Sequence, residues 1–145
     1  MAVVIKVKHK EKIMGRLRHG ADLLGELSEI CKKEKIQLGR LEAIGAVQKA
    51  CIGFYNQEKR EYQFITIDQP LEITNLTGNI SIKDGNPIVH AHLTLSDSSG
   101  KAYGGHLAPG TIVFACECMI ESFDGSLLER GFDQETGLPL WTVQE

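Results

Sequence analysis

The sequence has no apolar run long enough to cross a membrane or to act as a secretory signal. Only a short apolar run, at positions 2–5, lies near the N-terminal end, and lysines are interleaved after it. A signal peptide needs about 7–15 apolar residues and a transmembrane helix needs about 20. There is also no CxxC pair among the four cysteines, which are Cys31, Cys51, Cys116 and Cys118. We therefore expect a cytoplasmic protein without a membrane association, whose thiols are reduced and packed as small apolar side chains.

An excess of positive charge is lacking as well. Sixteen lysines and arginines stand against nineteen aspartates and glutamates, so the formal net charge is −3. Domains that bind nucleic acid on their own are usually basic. The charge balance therefore argues against that class, although a local basic patch remains compatible with it.

No internal repeat, low-complexity tract or Pro- or Ser-rich linker divides the 145 residues. The apolar share of 42% and the charged share of 24% are typical of a globular protein, so we expect a single domain over residues 1–145. Apolar residues recur at helical spacing from Ala21 to Lys35, with Asp22 in the first turn and lysines in the last, which predicts one long helix.

Most of the remaining sequence consists of short apolar or alternating runs separated by turn residues. Short connections join antiparallel strands and cannot carry parallel crossovers, so the predicted class is α+β with mainly antiparallel sheet. We expect a bulge or bend near residues 77–79, where a glycine interrupts a long strand. The predicted strands are 2–8, 40–47, 49–55, 62–68, 71–83, 88–95, 102–107, 111–121 and 125–130.

Three of the five histidines, His90, His92 and His106, fall within one short region. Side chains alternate along a strand, so His90 and His92 share a face and lie roughly 7 Å apart along it. Tetrahedral zinc with Zn–N bonds of about 2.0–2.1 Å places its nitrogen ligands a little over 3 Å apart, which such a pair can satisfy. A third ligand must come from a neighbouring strand, and His106 is placed to supply it.

The register of the predicted hairpin decides whether His106 shares that face. A tight turn centred on residues 98–99 would set His106 opposite Ala91, which points the wrong way. A bulge or a shifted turn would restore the pairing with His90 or His92. Gly104 and Gly105 come directly before His106, where a bulge costs little and a second backbone can approach closely.

The histidines also allow a plainer interpretation, in which they are partly exposed side chains that pair across the sheet. If they do bind a metal, Glu117 is the nearest candidate for a fourth ligand, an outer partner of a ligand, or a general base. Glu117 faces opposite to Cys116 and Cys118, so either the carboxylate or the two thiols can face the histidines, but not both. The other two histidines, His9 and His19, stand next to lysines and arginines and indicate a modest basic surface patch.

The sequence resembles the plants-and-prokaryotes-conserved (PPC) domain family. The motif His90-Ala-His-Leu-Thr-Leu-Ser-Asp, followed by Gly104-Gly-His-Leu, carries the resemblance. It extends upstream to residues 71–80, which contain Gly78-Asn79, and to Arg16-Leu17 with Gly20 and Asp22, so that it covers about residues 13–120.

The resemblance implies a homotrimer of α+β domains. It also implies that the three histidines bind a metal, usually zinc, through His90, His92 and His106, and that Glu117 occupies the family's acidic position. Plant members of the family join the domain to an AT-hook that binds DNA. This chain has no Arg-Gly-Arg-Pro run, so DNA binding has weaker support here than fold and assembly.

Three functional interpretations follow. The first is a trimeric module that binds zinc or another divalent transition metal and has a DNA-binding or regulatory role, with a partner protein or a small molecule as its ligand. The second is a zinc-dependent enzyme acting on an unknown small molecule, in which an open three-histidine site activates water and Glu117 or Asp97 acts as base. The third is DNA binding through cations near His19 or within residues 31–35. No nucleophile elbow, P-loop or HExxH motif names a substrate.

Overall fold

A computed structural model describes residues 2–143, with only the backbone described at residue 143. Within this range one helix and nine strands form a single twisted sheet in the order β1-β7-β2-β6-β5-β4-β8-β9, with β3 attached to β2. All pairings are antiparallel except one parallel bridge between β4 and β8. The predicted α+β fold with mainly antiparallel sheet is therefore confirmed. The elements are β1 (Lys8–Arg16), α1 (Leu23–Lys33), β2 (Gly39–Asn56), β3 (Glu61–Ile67), β4 (Leu71–Lys83), β5 (Asn86–Ser96), β6 (Ala102–Leu107), β7 (Ile112–Asp124), β8 (Leu128–Phe132) and β9 (Pro139–Val143).

The organising strand is β2, which runs for 18 residues without a break. Its first half pairs with β4 and β7, and its second half pairs with β3 and β6. The prediction of two separate strands over 40–47 and 49–55 was wrong. Gln48 and Lys49, at the boundary between the two predicted strands, accompany register shifts in one continuous strand.

Gly45 shows why β2 can lie so close to β7. Its φ is +148°, and a Cβ atom there would lie 2.1 Å from the carbonyl oxygen of Ala115 in β7. Any larger residue would collide with the backbone of the neighbouring strand, so glycine is needed for this approach.

The helix is shorter than predicted. It begins at Leu23, because Asp22 is its N-cap and accepts a hydrogen bond from the Gly25 N–H at 2.9 Å. It ends at Lys33. Lys35 then takes a left-handed φ of 56°, which stops helical continuation. Leu23, Leu27 and Cys31, spaced four residues apart, are fully buried on one face. This face packs into the hydrophobic core beside the sheet.

Two further predictions are corrected. Residues 2–7 do not form the opening strand that was predicted over 2–8, since β1 starts at Lys8. The irregularity in β4 falls between Ile73 and Asn75, and pairing with β5 is regular at residues 77–79. Within the described part of the chain, no helix has both the length and the apolar character needed to cross a bilayer.

Candidate metal centre

The hairpin of β5 and β6 brings the three histidines to one face of the sheet. His92 pairs directly with His106, because residues 97–101 form a five-residue loop between Ser96 and Ala102. The predicted shift of the turn is therefore confirmed, and no bulge occurs at Gly104 or Gly105, which pair regularly with β5.

Asp97 holds this loop closed. Its Oδ1 accepts hydrogen bonds from the Ser99 N–H at 2.9 Å, the Ser99 hydroxyl at 2.7 Å and the Lys101 N–H at 3.0 Å. These bonds, the Ser99 hydroxyl foremost, lower the pKa of the Asp97 carboxyl. The carboxylate therefore serves as the acceptor that closes the loop, and the hypothesis that it acts as a base is not supported.

The three imidazoles converge. The Nε2 atoms of His90 and His92 lie 3.3 Å apart, and one nitrogen from each of the three rings lies within 4.8 Å of the others. The ring centroids form a nearly equilateral triangle, with sides of 5.1 Å for His90–His92, 5.1 Å for His90–His106 and 5.6 Å for His92–His106. Ala91, between the first two, points to the opposite face and is buried in the core. The predicted alternation along β5 is therefore present.

Burial and neighbouring cations keep two of these rings neutral. Burial is the largest cause that lowers the pKa of His90, to about 4, followed by Arg130 and the other two histidines. Burial also lowers the pKa of His106, with smaller contributions from His92 and Arg130. Because only an uncharged imidazole can donate a lone pair to a metal ion, this environment favours the metal-binding form of both rings.

The sequence analysis missed Arg130, which comes from β8. The Nη2 atom of its guanidinium donates to Oδ1 of Asn79 at 3.0 Å and lies 3.4 Å from Nδ1 of His90. Nη1 donates to the carbonyl oxygen of Pro139 at 3.1 Å, and the group lies 5.7 Å from the centre of the Trp141 ring. Burial lowers the pKa of Arg130. Asn79, expected from the Gly-Asn motif, sits directly opposite His90 in the sheet and links it to this cation.

Tyr62 packs beside the His106 ring at the edge of the centre. Its ring lies 4.7 Å from that of His106, and Phe64 continues the aromatic row with a centroid distance of 5.8 Å from Tyr62. Gly53 of β2 pairs with both His106 and Phe64 and leaves room for the row. A Cβ atom at Gly53 would lie 3.2 Å from the Tyr62 ring and 3.1 Å from the Phe64 ring.

Two motif glycines allow strands to approach the centre closely. A Cβ atom at Gly78 would lie 2.5 Å from the His90 carbonyl oxygen, and one at Gly105 would lie 2.8 Å from the Gly53 carbonyl oxygen. Gly104 is less crowded, since its nearest atom would be 3.3 Å away. The expected close backbone approach is thus present at Gly105, where β6 meets β2.

Glu117 lies away from the histidines within one chain. It pairs with Ile44 of β2 and with Arg16 of β1, whereas His106 pairs with Gly53. Those two β2 positions are nine residues apart, which is about 30 Å of extended strand. The proposed role of Glu117 as ligand or base therefore has no support from its position in the monomer. Cys116 and Cys118 belong to the hydrophobic core, and all four thiols are free.

The remaining two histidines lie on the surface, apart from this cluster. Nδ1 of His9 is 2.9 Å from Oε2 of Glu121, and Nδ1 of His19 is 2.8 Å from the carbonyl oxygen of Phe114. Neither histidine belongs to the group of nitrogens that converge at the centre.

The chain is similar to known proteins in sequence and in structure. The family model of the Plants and Prokaryotes Conserved (PCC, also written PPC) domain matches residues 5–124. A metal-containing protein of Archaeoglobus fulgidus is 40% identical, with a TM-score of 0.93 over 97% of this chain and 99% of its own. A plant- and prokaryote-conserved protein of Pyrococcus horikoshii is 33% identical, with a TM-score of 0.91 over 99% of both chains.

Other relatives carry other descriptions. A candidate DNA-binding protein of Bacteroides thetaiotaomicron is 26% identical, with a TM-score of 0.86 over 96% of this chain and 99% of its own. The bifunctional protein GlmU of a Synechococcus strain is 34% identical over 68% of this chain, which spans only 15% of that protein's length. The family match, which includes all three converging histidines, shows that the chain belongs to the Plants and Prokaryotes Conserved domain family.

Proposed function

We propose that the protein is a metal-binding module that holds zinc, or another divalent transition-metal ion, on His90, His92 and His106. The convergence of three imidazoles carries this proposal. The 3.3 Å separation of the His90 and His92 Nε2 atoms agrees with the spacing of two nitrogen ligands around a tetrahedral zinc ion. The similarity to an archaeal metal-containing protein supports it independently.

The residues around the cluster fit such an ion. Imidazole nitrogens suit zinc, copper, iron and nickel, and His90 and His106 are held in their neutral form. Nδ1 of His106 is buried and has no hydrogen-bond partner among the described residues. A buried ring nitrogen normally has a polar partner, so an unpaired one fits a ring that belongs to a metal site. When bound, the ion would supply Lewis acidity beside the cavity that His90 and His106 line.

Substitution of His92 tests the metal site. We expect the wild-type protein, purified and dialysed with zinc, to retain about one ion per chain by elemental analysis, and His92→Ala to retain almost none. His9→Ala is the matched control, because it removes an imidazole outside the cluster and should leave the metal content unchanged. A wild-type protein that never retains a transition metal would contradict the proposal.

We also propose that the module is a homotrimer. Large apolar side chains are exposed on strands around the centre, including Phe54 at 69%, Phe64 at 55%, Ile65 at 56% and Phe132 at 73%. Exposed apolar side chains of this size are typical of surfaces that other chains cover. Light scattering after gel filtration should give three times the chain mass of 16.0 kDa. A monomeric or dimeric mass would contradict the trimer.

DNA binding is the second candidate, supported by the description of the Bacteroides relative. However, several cations near the N-terminus already face carboxylates, which counts against this role. Lys10 lies 4.0 Å from Asp124, Lys12 lies 3.7 Å from Glu121, and Arg18 lies 2.5 Å from Glu26. Duplex binding that persists at about 150 mM salt, and weakens steeply as salt rises, would support this role. Absence of binding at that salt concentration would exclude it.

A further inference from the structure

A cavity of about 220 Å³ adjoins the metal centre. Its polar end is formed by His90, His106, Tyr62 and Arg130. The rest of its wall is apolar and comes from Ile88, Val89, Leu138, Pro139 and Leu140. None of the described residues that line it carries a carboxylate.

Arg130 places a positive charge at the polar end of the cavity. It is half-buried, and its hydrogen-bond acceptors among the described residues are neutral: the Asn79 amide oxygen and the Pro139 carbonyl oxygen. Its Nε is buried and has no hydrogen-bond partner in the described part of the chain. Buried charges in proteins are normally paired with an opposite charge. A divalent ion on three neutral imidazoles would add two more positive charges at the same end.

We propose that this cavity binds a small aliphatic carboxylate. The carboxylate group lies at the polar end, beside the three-histidine cluster and Arg130, and the hydrocarbon chain lies against Leu138, Pro139 and Leu140. This inference rests on the proposed metal site. A guanidinium and a metal ion both favour carboxylate oxygens, and the absence of any carboxylate from the cavity wall leaves that place for a ligand.

The cavity volume sets the size of the part of a ligand that it encloses. At about 30 Å³ for each water-sized group, 220 Å³ accommodates about seven non-hydrogen atoms. Pentanoate has that size. The apolar walls favour such a ligand over an inorganic anion, because each buried methylene group strengthens binding by up to about fourfold.

Part of the cavity wall lies outside the family match. That match ends at residue 124, whereas Arg130 and Leu138–Leu140 belong to the β8–β9 hairpin. The hairpin reaches the centre because Glu129 pairs with Ile82 at the end of β4. The cavity is therefore formed jointly by the histidine motif and this C-terminal segment.

Calorimetric titration of the zinc-loaded protein tests the inference. Pentanoate should bind at least tenfold more tightly than acetate, than inorganic phosphate and than the uncharged pentanol. Arg130→Gln should weaken pentanoate binding about tenfold or more while its zinc content, measured by elemental analysis, stays at the wild-type level. Arg16→Gln removes the same charge from a strand remote from the cavity, and it should bind pentanoate like the wild type.

A conservative variant guards against a folding defect. Arg130→Lys keeps the positive charge, so it should recover part of the affinity lost in Arg130→Gln, with both variants checked by circular dichroism. A protein that holds no metal refutes the proposed function. A protein that holds zinc but binds pentanoate no better than pentanol, or equally well in Arg130→Gln, refutes the carboxylate pocket alone.

Discussion

Gly78→Ala tests how tightly the sheet is packed behind the metal centre. Gly78 lies opposite Ala91, between the positions of His90 and His92 in β5. A Cβ atom at this site would lie 2.5 Å from the His90 carbonyl oxygen, 2.8 Å from the Ala91 Cβ and 3.0 Å from the Ala91 Cα. Two of the three atoms belong to the backbone, so no flexible side chain can move aside to relieve the collision. β4 and β5 must separate locally.

The structure sets the expected magnitude. Overpacking of this kind costs about 1–3 kcal/mol. For 145 residues the unfolding entropy is about 0.3 kcal/mol/K, so each kcal/mol lowers the melting temperature by about 3 °C. We therefore expect a decrease of about 3–10 °C. Because the displaced segment of β5 carries two of the three imidazoles, zinc affinity should also fall by about tenfold or more.

Thermal unfolding and zinc titration together measure both effects. Gly15→Ala in β1 is the control, because its added methyl group would lie 3.7 Å from Sγ of Cys118, an ordinary contact. The control should change neither the melting temperature by more than about 2 °C nor the zinc affinity. A Gly78→Ala protein that melts and binds zinc like the wild type would refute the close approach of β4 and β5.

Two further results are expected. Asp22→Ala should destabilise the fold by about 1–2 kcal/mol in urea denaturation, because Asp22 caps the Gly25 N–H and also accepts from the Gly110 N–H at 2.7 Å; an unchanged midpoint would contradict this role. Burial raises the pKa of Cys31 and Cys116 to about 12, so only about one thiol in 10⁴ is ionised at pH 8. Mass spectrometry should find both thiols unmodified by iodoacetamide until the protein is unfolded. Rapid labelling of either thiol in the native protein would contradict this expectation and show that the helix–sheet core opens.

The histidine cluster was predictable because it depends on local rules. Alternation along a strand places His90 and His92 on one face, and the parity of the following hairpin restricts where His106 can lie. The five-residue loop satisfies that parity, and Asp97 accounts for its closure. Nothing beyond a short stretch of sequence is needed for this inference.

Glu117 and Arg130 were harder to place because their neighbours are distant in the sequence. The side on which Glu117 points follows from its own strand, but the part of β2 that pairs with it does not. Arg130 lies beside His90 because β8 joins the sheet by a single parallel bridge between Ile82 and Glu129. No local sequence motif predicts that bridge. Pairing between remote strands depends on the assembled sheet, which local periodicity does not encode.

The boundary between the family match and the C-terminal hairpin has an evolutionary consequence. The nitrogen donors come from strands inside the match, whereas the guanidinium and most of the apolar wall come from the segment after residue 124. Under the proposed carboxylate site, substitutions in that segment should change which small molecule binds while leaving ion affinity intact. Homologues that share the histidines but differ in the β8–β9 hairpin should therefore bind different ligands.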